Sequence, residues 1–184
     1  MLLGDTTLAN AIQKTEFGFD ILPANRELAG AEIELIELDG REQKLKEALA
    51  TVVDRYDYVL IDCPPALNML TVNALVASKS VMIPMQCEYY ALEGLSDLVE
   101  TLRKVRENLN PELEIEGLLR TMYNAQSTLT QQVSDELTSH FGNKVYSTII
   151  PRNVRLAEAP SHGKPAMAYD ASSKGAQAYG ALAE

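Results

Sequence analysis

The sequence predicts an α/β fold, a three-layer and mostly parallel sheet with helices on both faces. Three observations carry this. Short apolar runs recur, such as Val59-Leu60-Ile61, Val81-Met82-Ile83 and Thr148-Ile149-Ile150. They are near-continuous rather than alternating, which marks strands buried on both faces. Between them lie stretches with apolar residues at helical spacing, so strand and helix alternate along the chain.

The elements follow in order. Phe19 to Ala24 (FDILPA) reads as a short strand ended by Pro23. Arg41 to Val53 reads as a helix with Leu45, Leu49 and Val52-Val53 on one face. Tyr56 to Asp62 is the next strand, Asn68 to Ala77 a helix, and Ser80 to Gln86 (SVMIPMQ) a strand. Ala91 to Leu109 has Leu92, Leu95, Leu98-Val99, Leu102 and Val105 at helical spacing, an amphipathic helix. Ile115 to Tyr123 is a strand and Leu129 to Phe141 a helix. Val145 to Ile150 is a strand stopped by Pro151, and Ser172 to Glu184 is a last helix. The acidic segment Glu32-Glu34-Glu37-Asp39 reads as a solvated face with Ile33, Leu35, Ile36 and Leu38 interleaved. No internal repeat or low-complexity linker interrupts the 184 residues, so a single domain spanning the chain is expected.

Composition narrows the function classes. Hydrophobic residues make up 46%, enough for a packed core and against disorder. The formal net charge of −10 disfavours indiscriminate nucleic-acid binding by the whole surface, although a local basic face stays compatible with it. Cys63 and Cys87 lie in or just after apolar runs and read as buried free thiols in preference to a disulfide or ligand pair. No apolar run approaches a membrane span and no signal peptide opens the chain, so a cytoplasmic protein is expected.

Parallel sheets bind ligands beyond the carboxyl ends of their strands. Asp62 ends the VLI run, and Pro64-Pro65 forces the chain to turn after it. A carboxylate there suits hydrated Mg²⁺, a hard ion that keeps waters and takes few protein oxygens. It equally suits an aspartate capping a turn. Arg152, Arg155, His162, Lys164 and Lys174 place potential cations close together in an acidic chain. They fit a patch contacting nucleic-acid phosphates. They also fit an ordinary solvated surface with arginines paired to Glu158 and Asp170.

Three stretches carry a resemblance. "EYYALEGL" (Glu88 to Leu95), "LLRTMYN" (Leu118 to Asn124) and "IPRNVRLAEAPSHGKP" (Ile150 to Pro165) closely resemble the ParA/Soj family of chromosome and plasmid partition ATPases. The resemblance runs from about Phe19 to the last residue. It implies a deviant-Walker-A P-loop NTPase related to MinD and the nitrogenase iron protein. Family members are cytoplasmic and nucleoid-associated. They use ATP and Mg²⁺, dimerise around the nucleotide, bind DNA without sequence specificity and respond to a ParB-type partner. By the same resemblance Asp62 matches the Walker B aspartate, which holds Mg²⁺ through water. Cys63, Pro64 and Pro65 begin the second switch region. Pro151 and Asn153 match the adenine-contacting segment, with Asn124 a further candidate for that pocket. Proline offers an apolar edge to a base, and an asparagine amide offers donor and acceptor; Asn153 also suits a helix N-cap. Arg155 matches a DNA-binding position, with Arg152 and Lys164 beside it. Gln126 stands where relatives often carry arginine, which implies one phosphate contact fewer.

A P-loop needs a glycine-rich loop and a lysine around the phosphates. No G-x-x-x-x-G-K-[ST] occurs in these residues. Gly175 to Gly180 has the spacing but is followed by Ala181, and His162-Gly163-Lys164-Pro165 lacks the upstream glycine. The chain therefore resembles a family member without its first several dozen residues. In the family the P-loop and first-switch strands flank the Walker B strand, so Tyr56 to Asp62 is expected to lack neighbours on both sides. That implies a poorly folded, rearranged or self-associating chain and no ATP hydrolysis by these residues alone. A non-catalytic interaction module, using surfaces such as the helix Ala91 to Leu109, is the alternative function. A MinD-like membrane cycle is disfavoured, because it needs a basic amphipathic tail and the chain ends in "YGALAE".

Overall fold

A computed structural model describes residues 2–64 and 66–184. The chain divides into two compact units. The first comprises residues up to Lys79 together with Thr101–Leu113; the second comprises Ser80–Glu100 and Glu114–Glu184.

The first unit opens with α1 (Leu8–Ala11) and a minimal antiparallel hairpin, β1 (Gln13–Lys14) with β2 (Asp20–Ile21). Helix α2 (Leu28–Ile36) follows. It occupies part of the acidic segment expected to be a plain solvated face. Leu35 is fully buried, and the Glu32 carboxylate accepts from the Asn68 amide at 3.1 Å and the Met69 N–H at 3.4 Å. The expected helix Arg41 to Val53 is broken. Only α3 (Lys44–Leu49) is α-helical, with 3-10 turns at Arg41–Gln43 and Val53–Arg55. The β-branched run Thr51-Val52-Val53 explains the stop, since such residues lose rotamer freedom in a helix. Helix α4 (Met69–Ala77) is capped by Asn68, whose side chain accepts from the Thr71 N–H at 2.9 Å.

Two buried asparagines knit this unit. Asn73, 1% exposed, donates to the Arg41 and Met69 carbonyls and accepts from the Leu45 N–H. Asn110 donates to the carbonyls of Leu75, Val76 and Ser78, where the chain leaves α4.

Tyr56 to Asp62 is not a strand. The segment runs on without a ladder, and Tyr58 and Leu60 are 87% and 91% exposed. The apolar signal is genuine, but a strand exists through hydrogen bonds to a neighbour. Among the described residues none pairs with it.

The second unit holds the parallel sheet. β3 (Ser80–Gln86) leads into α5 (Ala91–Asn108), whose residues from Thr101 on belong to the first unit. Then come β4 (Glu114–Tyr123), α6 (Thr128–Phe141), β5 (Val145–Pro151), α7 (Val154–Glu158), α8 (Ala166–Asp170) and α9 (Lys174–Ala183). The sheet order is β3-β4-β5, with Met85 opposite Arg120 and Tyr123 opposite Pro151. Leu118, Leu119, Leu137 and Ile150 form the core, and α6 and α9 both pack against β5. Gly117 is required by close approach, since a Cβ there would lie 2.6 Å from the Tyr146 ring and 2.9 Å from the Lys144 carbonyl. The Arg120 guanidinium ties three elements together, donating to the Ser134 hydroxyl at 2.8 Å and the Tyr146 carbonyl at 2.7 Å.

Candidate functional site

Parallel strands end on the same rim, so Gln86, Tyr123 and Pro151 come together there. A cleft of about 670 Å³ opens at this rim, lined by Gln86, Tyr89, Tyr90, Met122, Asn124 and Arg152 among others. Tyr89 and Tyr90 meet edge to face, with ring centroids 5.1 Å apart, and both are largely exposed. Met122 has φ +49°, the single non-glycine residue with positive φ among those described. Left-handed backbone costs a branched or bulky residue energy and concentrates at functional positions. It falls where the β4–β5 register shifts between Arg120 and Tyr123. Cys87 is buried at the cleft wall, as expected from the sequence. Burial pushes its thiol up, and the Arg120 charge partly offsets this.

The asparagines expected at a base-binding site are held by local hydrogen bonds. Asn124 accepts from the Gln126 N–H at 3.1 Å. Asn153 caps α7, accepting from the Arg155 N–H at 2.9 Å. Each carbonyl is thus engaged, while neither amide nitrogen has a partner among the described residues. These amides retain N–H donors for a ligand. Pro151, half-buried, ends β5 beside them. The Arg152 N–H bonds the Tyr123 carbonyl at 3.4 Å, which brings the ends of β4 and β5 together.

Asp62 lies in the first unit, exposed and within the unpaired stretch. The expected placement at the end of a buried strand is therefore not met. Cys63 and Pro64 are also exposed, so Cys63 is not the buried thiol the sequence suggested. Pro65, the remaining switch residue, lies outside the described residues. Among the described residues no group of three or more His, Cys, Asp or Glu could hold a metal.

The cations differ in their surroundings. Arg152 lines the cleft. Arg155 is paired: its Nη1 lies 2.7 Å from Glu158 Oε2 and its Nε 3.4 Å from Asp170 Oδ2. Tyr169 donates its hydroxyl to the same Glu158 oxygen at 3.2 Å, and His162 stacks on the Tyr169 ring. The hydrogen bond from Arg155 holds the Glu158 carboxyl below its ordinary range. Lys164 and Lys174 are exposed and form no ion pair among the described residues.

Comparison with known proteins now decides the family. A family model described as an AAA domain matches residues 1–115. The sporulation initiation inhibitor protein Soj of Bacillus subtilis is 54% identical over all of this chain and 73% of its own length. The chromosome partitioning protein ParA of Caulobacter vibrioides is 49% identical over all of this chain and 70% of its own length. The chain belongs to the ParA/Soj family. The fold agrees: cobyrinic acid a,c-diamide synthase from Mycobacterium smegmatis superposes with a TM-score of 0.81 at 37% identity, over 97% of this chain and 66% of that one. That synthase has also been crystallised with ADP and magnesium. The α/β fold with its parallel sheet is therefore shared with that synthase. No helix among the described residues is long and apolar enough to cross a membrane.

Sequence reasoning missed the cleft roles of Tyr89, Tyr90 and Met122. The tyrosines were legible as part of the "EYYALEGL" motif, which follows a strand. The Met122 backbone left no trace in residue type.

Proposed function

We propose that this chain is a ParA-type nucleotide-binding domain, one domain over residues 1–184, in a system that partitions a chromosome or plasmid. The cleft at the carboxyl rim of the parallel sheet, with the Asn124 amide and Arg152 in its wall, is the observation that carries this. Its volume and its mixed aromatic and amide lining suit a purine base. Asn124, Pro151 and Asn153 would hold the adenine of ATP. Asp62 would take the Walker B role, contributing one carboxylate to Mg²⁺ through water, with Cys63, Pro64 and Pro65 as the adjoining switch. Of these three, Asn124 lines the cleft, and Pro151 and Asn153 flank its lining residue Arg152 in the chain. The phosphate half lacks a glycine-rich cradle in these residues. When bound, Mg²⁺-ATP supplies the phosphoryl group and the charge that a partition switch reads. The chain's residues bind and orient its base end. A dimer switching with ATP, non-specific DNA contacted through Arg155, Arg152 and Lys164, a ParB-type partner and nucleoid association complete the proposal.

The test is titration of the chain with a fluorescent ATP analogue and Mg²⁺. Weak binding, reduced about tenfold by Asn124→Ala, is expected from the loss of a hydrogen bond to the base. Identical affinity in that variant would remove the adenine assignment. Phosphate release should be absent, because phosphoryl transfer depends on positioning and charge around the γ-phosphate. Turnover that disappears in Asp62→Ala would overturn this. The alternative is a non-catalytic module that binds partners through surfaces such as α5. Complete absence of nucleotide binding would support it.

A further inference from the structure

The Arg155 guanidinium is engaged on two sides, by Glu158 through Nη1 at 2.7 Å and by Asp170 through Nε at 3.4 Å. The arrangement is braced. The Tyr169 hydroxyl donates to Glu158 Oε2 at 3.2 Å, and His162 lies against the Tyr169 ring at 4.9 Å. On the other side, the Asp170 carboxylate accepts from the Ser172 hydroxyl at 2.7 Å and the Ser172 N–H at 3.1 Å. Both carboxylates are therefore positioned before any ligand arrives. The Arg155 side chain nevertheless remains 53% exposed, so an incoming anion can reach it.

We propose that Glu158 and Asp170 hold Arg155 in reserve, so that a nucleic-acid phosphate must displace them and binding strength is set by that competition. This rests on the DNA reading above and adds its regulation. The magnitude decides what kind of device it is. Exposed ion pairs are weak and screened by salt, so the carboxylates tune affinity and do not lock it. A guanidinium that already donates through Nη1 to Glu158 and lies in ion-pair contact with Asp170 offers fewer donors to a phosphate, which it would otherwise grip through two parallel bonds.

The experiment is fluorescence anisotropy of a labelled duplex of arbitrary sequence with the full chain and Mg²⁺-ATP. It is run at about 50 mM and about 200 mM salt. Glu158→Gln keeps an oxygen to accept the Tyr169 hydroxyl but removes the charge. It should tighten binding about two- to five-fold at low salt, with the gain shrinking at high salt. Asp170→Asn should act in the same direction and less, given its longer contact. The control is the double variant Arg155→Ala with Glu158→Gln. If the carboxylate acts through Arg155, the gain disappears there. A gain that persists in the double variant is general charge relief, and overturns the competition. If Arg155→Ala weakens binding while Glu158→Gln and Asp170→Asn leave it unchanged, the competition falls and the DNA reading stands. If Arg155→Ala has no effect, or no variant binds, the DNA reading falls and takes the competition with it.

Discussion

Two stretches of this chain carry nearly the same sequence signal and meet opposite fates. Leu118-Leu119 in β4 and Val59-Leu60 before Asp62 are both short apolar runs in α/β surroundings. Leu118 is fully buried between paired neighbours, whereas Leu60 is 91% exposed in a segment without a ladder. A parallel strand is not a property of its own residues. It is completed by the strands on either side, and where they are not paired the same apolar run becomes exposed surface.

Paired mutations sharpen this contrast most. Leu118→Ala should cost about 2–5 kcal/mol, because it removes packed methyl groups and leaves a cavity. Leu60→Ala should change stability by less than about 0.5 kcal/mol, the usual range for surface substitutions. Urea denaturation of both variants at dilute protein checks this. A large loss from Leu60→Ala would mean that the segment is paired after all. Hydrogen exchange offers a second view, since amides of β4 should be protected while those of Tyr58 to Asp62 exchange rapidly. An unpaired apolar segment is also an association hazard. Sedimentation should therefore show concentration-dependent self-association, relieved by Leu60→Lys. A monodisperse wild-type monomer with a cooperative melt would defeat that expectation.

The second unit was largely legible in the sequence, for reasons that its residues make plain. Ser80 to Gln86 was read with the bounds the strand adopts, and β4 begins one residue before the expected Ile115. Their short apolar runs are bounded by polar or turn-forming residues, Ser78-Lys79 before β3 and Asn110-Pro111 and Asn124 on either side of β4. Helix α6 was legible from its spacing, with Ser127 supplying the cap. Helices α7 and α8 are five residues each, too short to show a period. Helix α2 was hidden because Ile33 and Ile36 face outward, at 71% and 49% exposure, and blur the apolar face that Leu35 defines. The Asn153 cap and the pairing of Arg155 with Glu158 and Asp170 were both open alternatives in the sequence. Which donor meets which acceptor is decided by the turn between α7 and α8, and spacing alone does not encode it.

Smaller effects test how tightly each unit is specified. Asn73→Ala would leave the Leu45 N–H and the Arg41 carbonyl without their partner in the first unit. Each unsatisfied buried group costs about 1–3 kcal/mol. Gly117→Ala in the second unit forces a methyl group against Tyr146 and the Lys144 backbone. Overpacking of that kind costs about 1–3 kcal/mol. If Asn73→Ala were neutral while Gly117→Ala were severe, only the sheet-bearing unit would hold a single packing. Comparable losses would show that the unit holding the unpaired Tyr56 to Asp62 segment is nonetheless uniquely ordered.

The smallest expected effect lies at the surface, where Arg155 meets its two carboxylates. The Glu158 carboxyl is held below its ordinary value of 4.5 chiefly by the Arg155 hydrogen bond, and Asp170 below 3.8 chiefly by the Ser172 hydroxyl. A carboxyl whose folded value is lowered stabilises the fold above its unfolded value. That contribution fades as pH falls through the folded value. Arg155 stays charged throughout, so the carboxylates alone set the window. The thermal midpoint of the wild type should therefore exceed that of Glu158→Gln slightly at neutral pH. The difference should begin to shrink below about pH 4.5 and vanish once Glu158 is protonated. A difference that grows on acidification would show that the Glu158 carboxylate is not stabilised by Arg155 in the folded chain. The competition proposed for that arginine would then lose its physical basis.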